Sequence, residues 1–269
     1  MDYYHIDAFT DQLFGGNPAG VVPLAAWLPD AQMQRIAAEN NLSETAFFAP
    51  EQDHYRIRWF TPAVEVDLCG HATLAAAWVL FNALGHAGDS VRFASASGEL
   101  TVVRDGDWLT LDFPARPPEP VAHSNSVATV LKALGATADP LYVGAARDLV
   151  VLLPDEACVR ALQPDFALLA TVPDWFAVTV TAPGTESDFV CRFFAPRQGL
   201  NEDPVTGSAF CTLIPLWAGR LGRRQLEARQ ISARGGAVRC AVSAEDHPAK
   251  RVHISGQAVC YLRGQLNVG

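Results

Sequence analysis

The sequence predicts an α+β fold of two similar halves, each with a mostly antiparallel sheet wrapped around a central apolar helix. Three observations support this prediction. Residues 72–84 contain only two polar residues, Thr73 and Asn82, and a helix that is apolar on every face has to be buried. A second, almost wholly apolar segment lies at residues 209–218. Landmarks of the first half also recur in the second half at a nearly constant spacing.

The recurring landmarks are the end of a strand and two glycines. The segment RWFTP at 58–62 recurs as RFFAP at 192–196, an offset of 134 residues. Gly70 matches Gly207 and Gly98 matches Gly235, in both cases 137 residues later. We therefore predict an internal duplication with an N-terminal half at 1–116 and a C-terminal half at 121–269. The proline-rich segment 114–120 is predicted to link them, and in an alternative arrangement the last strand returns to the N-terminal half.

The first half starts with strands, and its first helix begins after Pro29 and Asp30, with apolar residues Met33, Ile36 and Ala37 at helical spacing. Short apolar or alternating runs bounded by turn residues indicate the strands. In order, the pattern predicts strands at 3–9 and 20–23, a helix at 31–40, strands at 45–48 and 55–60, a helix at 72–84, and strands at 90–94, 99–104 and 108–113.

The second half shows a similar order of elements. The pattern predicts a strand at 149–153, a helical segment at 166–170, a strand at 176–180, a helix at 209–218, and strands at 238–242, 251–254 and 258–262. Pro215 lies inside the predicted apolar helix and is expected to kink or shorten it, because proline lacks the N–H of the helical hydrogen bond.

Composition and charge exclude several classes of protein. The hydrophobic fraction of 49% is that of a packed globular protein, and the net charge of −9 argues against a nucleic-acid partner. No apolar run approaches the roughly 20 residues that a membrane helix needs. The N-terminus has neither a basic segment nor an apolar one, so no signal peptide is predicted and the expected location is cytoplasmic.

Cofactor and metal motifs are missing from the sequence. The six cysteines form no CxxC pair, and no histidine and cysteine cluster has the spacing of zinc ligands. The glycine-rich segment GGNPAG at 15–20 has neither the dinucleotide-binding nor the phosphate-loop spacing. We expect no cofactor, no metal and no disulfide.

Two turns point to a binding site. LCGHAT at 68–73 and DPVTGSA at 203–209 each open one of the apolar helices. A helix N-terminus presents unpaired N–H groups and a positive dipole end, which favour a carboxylate. If a pseudo-two-fold axis relates the halves, both N-termini face one cleft, where a small anionic substrate would be held without lysine or arginine.

Four segments carry a resemblance to a known family: NPAG at 17–20, NNLSETAF at 40–47, LCGHAT at 68–73 and EDPVTGSA at 202–209. Together they resemble the PhzF-like family of phenazine biosynthesis, within the superfamily that has the diaminopimelate-epimerase fold. The resemblance implies paired sheet-wrapped helices with the site in the cleft between them, no cofactor and a homodimer. It also implies a proton-shifting isomerase such as the one acting on trans-2,3-dihydro-3-hydroxyanthranilate.

The same resemblance implies roles for individual residues, and each has a structural alternative. Glu44 corresponds to the catalytic acid/base, although a carboxylate beside a helix end is often only solvated. The other implied catalytic residues are His71, Asp203 and Ser208, and the implied substrate-binding residues are Asn17, Cys69, Gly70 and Gly207. His71, Asp203 and Ser208 have the alternative role of residues that cap or flank a helix.

Cys69 departs from the two-thiol pattern of the superfamily's epimerases. It occupies the place of the first thiol, but the equivalent position of the second half is interpreted as Pro204, and Cys211 as a core residue. A single thiol favours a one-base proton shuttle by Glu44. Two alternatives stay open: an epimerase that pairs Cys69 with Glu44, and a non-catalytic small-molecule- or protein-binding relative.

Overall fold

The structure, a computed structural model, describes residues 1–243 and 250–267 of the 269-residue chain. Its backbone separates into two units. The first unit comprises Met1–Phe113 and His253–Gly269, and the second comprises Pro114–Val252. Within the described residues, no helix has both the length and the apolar character needed to cross a membrane.

The first unit contains the two helices and all seven strands predicted for it, and one further short strand at Glu65–Val66. Its elements are β1 (Asp2–Ala8), β2 (Asn17–Pro23), α1 (Asp30–Asn40), β3 (Glu44–Glu51), β4 (His54–Phe60), β5 (Glu65–Val66), α2 (Gly70–Asn82), β6 (Ser90–Ser95), β7 (Gly98–Asp105) and β8 (Trp108–Pro114).

The second unit follows along the chain with more numerous and shorter elements. They are β9 (Glu119–Pro120), α3 (Asn125–Leu134), β10 (Tyr142–Ala145), β11 (Leu149–Leu152), α4 (Glu156–Arg160), α5 (Phe166–Leu169), β12 (Val178–Pro183), β13 (Phe189–Ala195), a 3₁₀ turn (Pro196–Gln198), β14 (Leu200–Asp203), α6 (Gly207–Leu221), β15 (Gln225–Gln230) and β16 (Gly236–Val242). The chain then runs through β17 (Arg251–Gly256), where the unit boundary falls, to β18 (Ala258–Gln265) in the first unit.

Strand pairing in the two units follows the same pattern. In the first unit β1 is antiparallel to β2, β2 is parallel to β3, β3 is antiparallel to β4, β4 is parallel to β6, and β6 is antiparallel to β7. In the second unit β10, β11, β12, β13, β15 and β16 repeat these five relations in order. Along the chain, at least one helix connects the two strands of each parallel pair in both units. Parallel strands need a crossover connection of this kind. The predicted duplicated α+β fold is confirmed.

The helices α2 and α6 supply the apolar centre of the two units. Ten of the 13 residues of α2 are buried, and the helix packs against β1, β2, β3 and β18 of the first unit. Eight of the 15 residues of α6 are buried, and it packs against β15 and β16 of the second unit. The burial of an all-apolar helix, predicted from residues 72–84, is confirmed.

Pro215 does not shorten α6, so that part of the expectation was wrong, and the kink stays a prediction. The helix runs six residues past it, to Leu221. Because proline has no N–H, the carbonyl of Cys211 four residues earlier has no helical donor. The backbone N–H of Arg116 donates to that carbonyl instead, at 2.8 Å. Tertiary structure therefore supplies the hydrogen bond that the proline removes.

Two parts of the second unit differ from the sequence-based expectation. Residues 114–120, predicted to be a linker, belong to this unit, and β9 within them pairs with β10. Helix α3 was not predicted, although its signals are present in the sequence. Ser124 caps its N-terminus by accepting a hydrogen bond from the Val127 N–H, and Gly135 ends it at φ 65°.

Candidate active site

Three elements of the first unit begin close together, and each starts with predicted site residues. β2 begins at Asn17, β3 begins at Glu44, and α2 begins at Gly70. Since β2 and β3 are parallel, with Ala19 opposite Glu44, both strands start at the same edge of the sheet. The N-terminus of α2 lies at this edge, because His71 contacts Asn17 and Glu44. Residues far apart in sequence thus form one cluster.

Glu44 is the first residue of a strand and not a solvated helix-end residue. Helix α1 has already ended at Asn41, whose φ of 50° is left-handed. Glu44 pairs with Ala19 of β2, and the next residue, Thr45, pairs with Phe60 of β4, which holds the start of β3 in place. Its side chain is only 20% exposed. The alternative of a fully solvated carboxylate is therefore not favoured.

His71 lies in the first turn of α2, and its ring contacts Glu44. His71 Nε2 is 3.3 Å from Glu44 Oε2, and the side chain of His71 is 6% exposed. The contact is close enough for an ion pair but lacks hydrogen-bond geometry, and Nε2 makes no hydrogen bond within the described part of the chain. A small movement of either side chain would complete that bond.

The other ring nitrogen of His71 fixes the position of its hydrogen. The amide Nδ2 of buried Asn17 lies 3.3 Å from His71 Nδ1, and Cys69 Sγ lies 3.5 Å from the same nitrogen. With the Asn17 amide N–H donating, Nδ1 is the acceptor and Nε2 carries the hydrogen. The Nε2–H of the imidazole is then on the side of the ring nearer Glu44, although it makes no hydrogen bond to the carboxylate.

Burial keeps this imidazole neutral. Desolvation lowers the pKa of His71 from 6.5 to about 3, because the charged form cannot be hydrated in the protein interior. Its contact with Glu44 is therefore one between a neutral ring and a carboxyl group, and not an ion pair at neutral pH. His71 can donate or accept a hydrogen bond without changing its charge.

The ligand atoms of Glu44, Cys69 and His71 lie within 4.8 Å of one another, a set of residue types that zinc accepts. However, Glu44 approaches Nε2 of the ring while Cys69 approaches Nδ1. One imidazole turns only one lone pair towards an ion, so the two partners are not arranged around a common point. This arrangement fits two separate polar contacts on opposite nitrogens of the ring better than a metal shell.

In the second unit, Asp203, Gly207 and Ser208 share the turn between β14 and α6. Asp203 is 7% exposed and accepts a hydrogen bond from the Thr206 hydroxyl at 2.5 Å. Thr206 occupies the N-cap position but makes no side-chain cap. The carboxylate of Asp203 thus orders the turn through Thr206, and the simple N-cap role considered for it is not observed.

The counterpart of Cys69 in the second unit is Thr206 and not Pro204. Cys69 is the N-cap residue of α2 and Thr206 is the N-cap residue of α6. The offset of 137 residues between Gly70 and Gly207 gives the same pair, because 69 plus 137 is 206. The conclusion that no second thiol stands there is unchanged, and Cys211 is buried as expected, with its pKa raised to about 11 by desolvation.

Two residues that the sequence reasoning missed support this second turn. Gln230, fully buried at the end of β15, donates to the Asp203 carbonyl at 2.6 Å and accepts from the Thr206 N–H at 2.9 Å. The strand pattern gave a signal, because Gln230 is a polar residue at an inward-facing position. Arg147, in the turn before β11, donates to Ser208 Oγ at 3.0 Å. No local pattern marks Arg147, and the expectation of an anionic substrate held without lysine or arginine took no account of it.

Known proteins resemble this chain along its whole length. The model of the phenazine biosynthesis-like protein family matches residues 6–264. An uncharacterized isomerase of Pseudomonas aeruginosa is 52% identical over 269 residues, which are 100% of this chain and 99% of the relative. The crystal structure of a PhzF-family phenazine biosynthesis protein from Enterococcus faecalis superposes with a TM-score of 0.93 at 44% identity, covering 99% of this chain and 98% of the other. A probable proline racemase from Agrobacterium radiobacter shares the fold, with a TM-score of 0.64 at 11% identity. The superposition covers 100% of this chain and 93% of the racemase chain.

The low pKa of His71 predicts a pH-dependent stability. In the folded protein the ring stays neutral down to about pH 3, whereas in the unfolded chain it gains a proton below about pH 6.5, so stability is lost as pH falls through this window. Between pH 7 and pH 4.5 His71 should account for a loss of about 2–3 kcal/mol in the free energy of unfolding. Urea denaturation of the wild type and of His71→Asn at both pH values measures this difference.

Exposed His123 provides the control for this measurement. His123→Asn should show the same pH dependence as the wild type, because its ring does not lose hydration on folding. If His71→Asn lost as much stability as the wild type between the two pH values, His71 would not be held neutral by burial.

The contacts of Gln230 predict that it is required for the second turn. Gln230→Leu keeps the volume but leaves the Thr206 N–H and the Asp203 carbonyl without their buried partner, which should lower the free energy of unfolding by about 3 kcal/mol. Gln225→Leu, at the exposed start of the same strand, should change it by less than about 0.5 kcal/mol. Equal effects of the two substitutions in urea denaturation would contradict this role.

Proposed function

This chain belongs to the phenazine biosynthesis-like (PhzF) family and is an isomerase, and we propose that it shifts a proton on a small carboxylate-bearing substrate without a cofactor. Glu44 removes the proton from one carbon and returns it to another. The observation that supports this assignment most directly is the contact of 3.3 Å between Glu44 Oε2 and the neutral, buried ring of His71.

The position of Glu44 suits a general base. It is partly shielded, with 20% of its side chain exposed, so it can reach a bound substrate while water competes less for the carboxylate. Its backbone pairs with Ala19 of β2, and the following residue pairs with β4, which fixes the direction from which the base approaches. Positioning of this kind is what converts an ordinary carboxylate into an efficient proton carrier.

Proton transfer proceeds in two steps that leave the enzyme unchanged. First the Glu44 carboxylate takes a proton from a carbon conjugated to the substrate's carboxylate, and the electron pair moves into the conjugated system. The carboxylic acid of Glu44 then gives the same proton to a different carbon. His71 remains neutral throughout, and its Nε2–H can donate to the carboxylate of Glu44 at the start and at the end of the cycle.

The remaining expectations belong to the same proposal. The first candidate substrate is trans-2,3-dihydro-3-hydroxyanthranilate, as the resemblance implies. Gly70 at the start of α2 and Gly207 at the start of α6 are proposed as substrate-binding residues, and Asp203 and Ser208 are proposed to act in binding or proton relay, as the resemblance implies. The homodimer and the cytoplasmic location stay predictions.

An epimerase that pairs Cys69 with Glu44 is the alternative, and it is favoured by the proximity of the two side chains to one ring. Against it, Cys69 Sγ lies beside Nδ1 of His71, on the opposite ring nitrogen from Glu44. An epimerase needs an acid and a base on two faces of one stereocentre. The proposed isomerase needs only the one carboxylate.

The proposal predicts the effect of Glu44→Gln. The substitution preserves shape and hydrogen bonding but removes the base, so the rate of proton exchange should fall by about 10²–10⁴-fold with little change in stability. The measurement is ¹H NMR in D₂O with trans-2,3-dihydro-3-hydroxyanthranilate, which follows the loss of the exchanging C–H signal and the appearance of the isomer.

Two control variants make the result specific. Glu51→Gln changes a glutamate at the other end of β3 and should leave the rate unchanged. Cys69→Ala should retain most of the rate if Glu44 is the single base, whereas the epimerase alternative requires that it lose activity. Wild-type rates in Glu44→Gln would refute the assignment of the base.

A further inference from the structure

Arg147 occupies the same place in the second unit as Asn17 in the first. Asn17 begins β2, the first strand of the parallel pair β2–β3, and contacts His71, the second residue of α2. Arg147 lies two residues before β11, the first strand of the parallel pair β11–β12, and contacts Ser208, the second residue of α6. The duplicated fold thus places a polar residue against the first turn of each central helix, but in the second unit that residue is a cation.

The guanidinium of Arg147 is held in one orientation by its neighbours. Its Nε and Nη2 donate to the two carboxylate oxygens of Asp148 at 2.9 and 2.8 Å, a bidentate pair. Asp148 itself is buried, and the guanidinium lies 4.4 Å from the centre of the Phe176 ring. A side chain with this many constraints loses little further freedom when a ligand binds.

The contact with Ser208 decides which atoms remain for a ligand. A guanidinium only donates hydrogen bonds, so Ser208 Oγ must be the acceptor in its contact with Arg147 Nη2. The hydroxyl hydrogen of Ser208 is then directed elsewhere. Arg147 Nη1 also has no hydrogen-bond partner among residues 1–243 and 250–267, and the side chain is 35% exposed. The Nη1 hydrogens and the hydroxyl hydrogen of Ser208 are therefore donors for a ligand, and the guanidinium offers no acceptor.

The electrostatic surroundings agree with an anionic ligand. Arg116 and Arg147 both act to lower the pKa of Cys211 in the first turns of α6, although burial raises it more. Two guanidinium groups therefore act on this end of the helix. The buried carboxylate of Asp148 offsets part of the charge, which leaves a site that depends on directed hydrogen bonds more than on net charge.

We propose that Arg147 is a specificity-determining residue that, together with the Ser208 hydroxyl, binds the carboxylate group of the substrate. The inference rests on the proposed function, because it concerns the substrate of the same enzyme. It explains why the site would select a carboxylate over an uncharged group of the same shape. A carboxylate turns two charged acceptor oxygens to the donors of Arg147 and Ser208, whereas an amide has one uncharged acceptor oxygen and N–H groups that a guanidinium cannot accept.

The test compares two ligands of the same shape that differ in charge, 2-aminobenzoate and 2-aminobenzamide, by isothermal titration calorimetry. The wild type should bind the carboxylate at least about tenfold more tightly than the amide, as expected for charge-assisted hydrogen bonds. Arg147→Gln should weaken binding of 2-aminobenzoate by at least about tenfold and change that of 2-aminobenzamide by less than about twofold. Arg147→Lys should recover part of the loss, because it restores the charge but not the planar fork.

Arg220→Gln is the matched control. Arg220 also lies over an aromatic ring, that of Tyr142, but at the far end of α6, and its replacement should leave both affinities unchanged. The double variant Arg147→Gln/Asp148→Asn removes the ion pair as a unit, so any effect of leaving Asp148 buried and uncompensated is separated from the loss of the ligand contact.

The results distinguish this inference from the proposed function. Equal weakening of both ligands by Arg147→Gln, an unchanged preference for the carboxylate, or a wild type that does not prefer it would overturn the role of Arg147. If Glu44→Gln abolished proton exchange while Arg147→Gln left the carboxylate preference intact, only the inference would fail. If the carboxylate preference depended on Arg147 but the wild type exchanged no proton, only the proposed chemistry would fail.

Discussion

The enclosure of α2 is the constraint on which the first unit depends. Every face of this helix is apolar, and burying it requires strands on several sides, which β1, β2, β3 and β18 provide. The last of these strands comes from the C-terminal end of the chain. Leaving so apolar a helix partly exposed would forfeit roughly 25 cal/mol for each Å² of apolar surface left in water. The burial of α2 therefore depends in part on a strand that is far from it in the sequence.

The same packing explains why the candidate site forms where it does. A parallel pair of strands has both N-terminal ends at one edge, and the helix packed on the sheet begins at that edge as well. Polar side chains at these starting positions meet without disturbing the apolar interior. In the first unit they are Asn17, Glu44 and His71. The second unit repeats the arrangement at the turn before α6, where Gln230 and Arg147 support Asp203, Thr206 and Ser208. The two units therefore share the same backbone arrangement at these positions, but the side chains there differ.

Divergence between the units accounts for the departure from a symmetric two-thiol site. The N-cap residue is Cys69 in the first unit and Thr206 in the second. The residue that contacts the second position of the helix is an amide in one unit and a guanidinium in the other. A carboxylate beside a neutral imidazole and a cation beside a hydroxyl suit different tasks, the first proton transfer and the second anion binding. This division of tasks is consistent with a one-base mechanism.

Much of the fold of this protein could be predicted from its sequence alone. Apolar periodicity, turn residues and the repeated landmarks predicted the fold class, the duplication and the buried helices, because these signals are local or recur along the chain. The candidate site residues around His71 were implied by the resemblance of four short segments to a known family. The tertiary structure decided which atoms meet. Strand pairing brings Asn17 to a histidine 54 positions away, Gln230 to a turn that closes more than 20 residues earlier, and the Arg116 N–H to the carbonyl that Pro215 leaves without a donor. Hydrogen-bond partners of this kind depend on three-dimensional packing, which no local sequence pattern encodes.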